Sequence, residues 1–99
     1  AFSVMLAAGL EGIDKGYDLP PASEVDTHSM SSYQRRQSQI ESLPGNLWEA
    51  IKITENSELV FEALGPAVFN NFIENKKIEW DSYCSQVTAY EIERYLPTL

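Results

Sequence analysis

The stretch that decides the fold is Phe2 to Pro21, FSVMLAAGLEGIDKGYDLPP. Phe2, Met5, Leu6, Leu10 and Ile13 recur at helical spacing, and Val4, Ala7 and Ala8 widen the stripe until little of the early helix is polar. A helix apolar nearly all round is normally buried on several sides, so residues 1–16 are expected to form a buried helix. Ala7, Ala8 and Gly9 leave room for close backbone approach, whereas Gly12 costs about 1 kcal/mol of helix propensity and so asks for something packed against it. Gly16 can end the helix, and Pro20 and Pro21 prevent its continuation. The run is apolar like a signal sequence but has no basic leader, and Glu11, Asp14 and Lys15 close it without a convincing cleavage site.

Downstream, residues 17–45 read as mostly irregular, with Ser31 or Ser32 able to cap a short helix over YQRRQSQ. A connection this long in a small domain is usually functional or pinned by its neighbours. Residues 46–96 read as helices. Asn46 with Glu49 is a capping-box variant after Pro44-Gly45, the Glu expected to return to the cap. A second short helix follows Asn56-Ser57. Gly65 suits its end, and Pro66 suits the first turn of the next helix. The longest helix is expected from about Pro66 to Val87, with Phe69, Phe72, Ile73, Trp80, Tyr83, Cys84 and Val87 on one face. Thr88 with Glu91 forms a second box and opens a final helix that Pro97 stops. The expectation is a mainly α chain of about four or five helices with one long loop and no strand.

The chain is 99 residues, 43 % apolar and 22 % charged, which suits one small globular unit. A net charge of -8 argues against nucleic-acid or anionic-membrane binding, which need clustered Lys and Arg. The doublets Arg35-Arg36 and Lys76-Lys77 read as solvated patches. Cys84 is the only cysteine, so no intrachain disulfide can form, and its place on the apolar face marks it as core rather than nucleophile. His28, the only histidine, sits in a polar loop without a second ligand at metal spacing. The carboxylates show no calcium-loop pattern, pairs two apart on a helix do not face one another, and no glycine-rich phosphate cradle follows a strand, so they read as solvated helix charge. From its own residues the chain is not a catalyst: no catalytic, metal or cofactor-binding residue is expected in it.

In order, LAAGLEGID, LPP, Met30-Ser31, IESLPGNLWEAI, EALG and EWDSYCSQVTAYEIERYL closely resemble the end of bacterial and archaeal (type I) glutamine synthetases, over essentially the whole chain. The resemblance implies that residues 1–99 are a C-terminal part of that family's α+β catalytic domain, the first helix lying on its strands. The missing initial Met and the apolar start fit a piece of a longer chain. The implied whole enzyme is an ATP-dependent glutamate–ammonia ligase working through γ-glutamyl phosphate with Mg²⁺ or Mn²⁺. It is cytoplasmic, with two stacked hexameric rings as a homododecamer. The family's catalytic motifs lie upstream, so this stretch is assigned the role of scaffold and subunit contact. Where relatives carry a modifiable loop tyrosine this chain has His28, and Tyr17 in GYDLPP lies ahead of the loop, so adenylylation is not expected. Glu79 in IEW matches a glutamate of an inter-subunit and feedback network. Two other functions stay open: a ligase of the same superfamily that uses a polyamine in place of ammonia, and a free-standing helical interaction module.

Overall fold

Six α-helices and a closing 3-10 turn carry the chain, and no strand is present. A computed structural model describes all 99 residues. The helices are α1 (Phe2–Lys15), α2 (Ser32–Gln37), α3 (Leu47–Glu55), α4 (Glu58–Leu64), α5 (Pro66–Cys84) and α6 (Ala89–Tyr95), with the turn at Leu96–Thr98.

The starts of four helices follow directly from their cap residues. The side chains of Ser31, Asn46, Ser57 and Thr88 each accept the backbone N–H three residues on, satisfying a donor the helix itself cannot. Ser31/Gln34 and Thr88/Glu91 close full capping boxes. The Asn46 box differs from expectation. Glu49 accepts from the Gly45 N–H at 2.8 Å, one residue before the cap, so it pins the turn rather than the cap itself. α2 ends in a Schellman arrangement: Ile40 N–H donates to Arg35 O and Gln39 N–H to Arg36 O, with Gln39 at φ 55° where glycine is usual. Between α4 and α5, Gly65 sits at φ 79°, ψ 158°, a conformation open almost only to glycine, and Pro66 starts α5 at once.

The core is small. Ile51 of α3 and Phe69 and Ile73 of α5 are the buried residues, with Leu47, Val60, Leu64 and Trp80 packed around them. Phe61 meets Phe69 edge to face at 5.2 Å, a geometry the ring quadrupoles favour. Across the α3–α5 contact Lys77 bonds Glu55, which Lys52 also reaches at 3.2 Å. These bonds, Lys77 first, hold the Glu55 carboxyl below its usual pKa.

The opening helix forms as expected, and within these 99 residues none of it is buried: Phe2 is 89 % and Ile13 80 % exposed, with α4 packed on one side. Two expectations need correction, both on α5. α5 stops at Cys84 rather than Val87. Thr88 needs extended backbone to cap α6 (φ −81°, ψ 155°), so the helix must be left before it. The Ser85 hydroxyl and the Gln86 amide both donate to Ser82 O there and close the end. Finally, Cys84 is exposed, and so are Tyr83 and Val87. The expected face of α5 runs the helix's full length of about 28 Å, but α3 and α4 are only about 14 and 11 Å long and cover part of it.

The dimensions make the same point. The Cα radius of gyration is 18.9 Å, against about 13 Å for a compact domain of this length. The accessible surface is 8752 Å², against about 5,700 Å² for a folded monomer of this mass.

Candidate functional site

Glu79 lies on the outer side of α5, its side chain exposed and paired with Lys76 at 2.6 Å. Together with Trp80, Tyr83 and the α3 entry residues Gly45, Asn46 and Leu47 it borders a cleft of about 440 Å³. The Trp80 and Tyr83 rings stand 6.2 Å apart. This cleft is where the α3 capping turn approaches α5, so the Asn46 cap, the Pro44-Gly45 turn and the helical register of α5 together set its shape.

His28 is exposed in an Asx turn, its backbone N–H donating to Asp26 Oδ1 at 3.0 Å and the Ser29 hydroxyl donating to Asp26 O at 2.9 Å. Its ring makes no hydrogen bond within the chain. Tyr17 follows α1 directly, its N–H donating to Gly12 O at 3.2 Å. One edge of its ring comes within ordinary van der Waals reach of Gly12, where a Cβ would meet it at 3.8 Å, and the rest of the ring is exposed. Tyr17 is thus the packing that Gly12 asked for. Glu11 bonds Lys15 at 2.7 Å and raises the Lys15 pKa, with Tyr17 adding to the effect. Glu79, His28 and Tyr17 are on separate elements and form no common site. No three His, Cys, Asp or Glu side chains converge as a metal would need. No helix is long and apolar enough to cross a membrane.

Neither basic doublet proves to be simply solvated. Lys76 and Lys77 are both ion-paired, and Lys77 ties α5 to α3. Arg35 is part-buried beneath its own loop: one guanidinium nitrogen donates to Met30 O at 3.0 Å and another to Ser42 Oγ at 3.3 Å. Sequence reading missed this, because nothing in the doublet itself tells which arginine turns inward. The signal available was the loop's length, which called for something to pin it.

These features define a helical layer with a token core and large open apolar faces: a partial domain. The chain belongs to the glutamine synthetase family, since residues 1–95 match the model described as glutamine synthetase, catalytic domain. It is 48 % identical over 95 residues to the glutamine synthetase of Mycolicibacterium smegmatis, covering 96 % of this chain and 21 % of that protein. It is 43 % identical over 96 residues to that of Methanococcus maripaludis, covering 97 % and 22 %. Against that of Thermus thermophilus it is 38 % identical over 98 residues, covering 99 % and 22 %. The chain spans about a fifth of the length of the relatives it matches.

Proposed function

We propose that this chain is the C-terminal helical part of a glutamine synthetase catalytic domain, serving as scaffold and subunit contact. The observation that carries this is the match of residues 1–95 to the catalytic-domain model. The open surface supports it. About 3,000 Å² more is exposed than a compact monomer of this size would leave, which exceeds the roughly 1,600 Å² of a standard interface. The stripe of α1 is the natural seat for the domain's strands. The Glu79 cleft and the C-terminal turn are the natural seats for neighbouring subunits, in a homododecamer of two hexameric rings.

On this proposal the whole enzyme joins ammonia to the γ-carboxyl of glutamate in the cytoplasm, using ATP and forming γ-glutamyl phosphate, with Mg²⁺ or Mn²⁺ bound by residues outside this chain. No residue here is given a chemical step, and the 99 residues alone are inactive. His28 does not accept an adenylyl group, and Tyr17, which follows α1 directly, lies ahead of the loop. The test is to express the complete polypeptide that carries this sequence and to compare ammonia with a polyamine as acceptor. Glutamine formation coupled to ADP release is expected. A complete polypeptide that makes no glutamine, or that turns over faster with the polyamine, overturns the proposal.

A further inference from the structure

The distribution of cations points to a site that the scaffold role does not need. The chain carries seven Lys and Arg against fifteen Asp and Glu. Each of its four lysines is ion-paired: Lys15 with Glu11, Lys52 and Lys77 with Glu55, Lys76 with Glu79. Arg35 and Arg36 make no ion pair, in a chain with a large surplus of carboxylates. Both line one cleft of about 710 Å³ with Ser32, Gln39, Ile40, Glu41 and Ser42.

The loop is built to hold them there. The Ser31 capping box fixes the start of α2, and the Schellman arrangement at Gln39 folds the chain back so that Ser42 returns to Arg35. Arg35 thereby becomes a fixed wall, anchored to Met30 O and Ser42 Oγ, and its Nε is buried with no acceptor at all. Arg36 uses only its Nε, on Ser32 O at 3.3 Å, which leaves both terminal nitrogens free. The Ser32 and Ser42 hydroxyls and the Gln39 side-chain amide donate to no group of the chain either.

We propose that this cleft binds a phosphate group, as a small phosphorylated molecule or as the free anion. The donor set decides for phosphate over carboxylate. Two guanidinium groups, two hydroxyls and an amide surround the cleft, which suits an anion with three or four oxygens and about two charges. The Glu41 carboxylate also lines the cleft and opposes binding, but it pairs with neither arginine. The remaining carboxylates of the chain are screened at physiological ionic strength over about 8 Å. The site is independent of the scaffold role, and either can fail without the other.

The test is arginine modification by phenylglyoxal on this chain and on the complete enzyme, read peptide by peptide by mass spectrometry. Inorganic phosphate is the probe, against chloride and acetate at matched ionic strength. Arg94, also without an ion-pair partner, is the internal control. Phosphate at ten times its dissociation constant is expected to slow labelling of Arg36 about tenfold and to leave Arg94 unchanged. Arg36→Gln, a surface change that keeps α2 capped, is expected to abolish the phosphate dependence of labelling at Arg35. Absence of protection, equal protection of Arg94, or equal protection by acetate each overturns the proposal. If protection appears in the chain and vanishes in the complete enzyme, another part of the protein covers the cleft, and it is no ligand site.

Discussion

Leu6→Ala separates a helix that merely forms from one that is used. Leu6 is 64 % exposed on α1, so only about a third of its side chain is withdrawn from water in this chain. Full burial of a leucine is worth about 1.5–3 kcal/mol, so truncation here removes roughly 0.5–1 kcal/mol. The slightly better helix propensity of alanine gives part of that back. If α1 lies on strands of the catalytic domain, the same substitution in the complete polypeptide opens a cavity in a packed interface, at about 3–5 kcal/mol. Hydrogen exchange of the α1 amides reads this locally in both settings. The expected outcome is a change of a few-fold in exchange rate in the 99-residue chain and on the order of a hundredfold or more in the complete polypeptide. Equal changes in the two would show that nothing further covers Leu6, and the argument from the open stripe would collapse.

Other outcomes can be read from single residues. Ile51→Ala removes the most buried side chain, in a core of three, and should cost about 2–4 kcal/mol and most of the cooperativity of urea unfolding followed by circular dichroism. A melt that keeps its midpoint would mean that the three residues are not a working core. Gly65→Ala meets no neighbouring atom within 4 Å, so its penalty of about 1–3 kcal/mol is conformational, and Gly65→Asn should be no better tolerated. Unchanged stability would place Gly65 in a different backbone conformation. The Glu91 carboxyl accepts from the Thr88 N–H and then from its hydroxyl, which lowers its pKa. A lowered folded pKa means the contribution to α6 is complete above the ordinary carboxyl value of about 4.3 and is lost as pH falls through the folded value below it. The Thr88 amide resonance should follow that titration in the native chain and stay flat in Glu91→Gln. An amide that ignores the Glu91 proton would refute the box.

What could be read in advance divides along a physical line. Caps are local, and Ser31, Asn46, Ser57 and Thr88 all act within three residues of themselves, so a sequence window contains the whole interaction. The Gly65-Pro66 junction is local for the same reason. Burial is not local. The spacing of Phe69, Phe72, Ile73, Trp80, Tyr83 and Cys84 says that one side of α5 is apolar, but which of them are covered depends on how far α3 and α4 reach along it. They reach Phe69 and Ile73 and part of Trp80, and end before Tyr83. The opening helix poses the same problem in a stronger form. Its composition demands burial, and the chain contains too little protein to supply it.

The two kinds of leftover surface are unlike each other, and that difference is what makes them separately informative. The stripe of α1 and the far half of α5 are apolar and follow from helix period alone, so any large partner of suitable shape satisfies them. The Arg35-Arg36 cleft is polar, and a loop with its own cap, its own reversal and a buried guanidinium anchor holds it in place. Building that loop around two cations that no carboxylate of the chain neutralises costs ordering entropy in 20-odd residues that a short connection would have avoided. A solvated patch would gain nothing from such order. An acceptor brought in from outside would, and the two terminal nitrogens of Arg36, which no group of the chain engages, are the donors open to it.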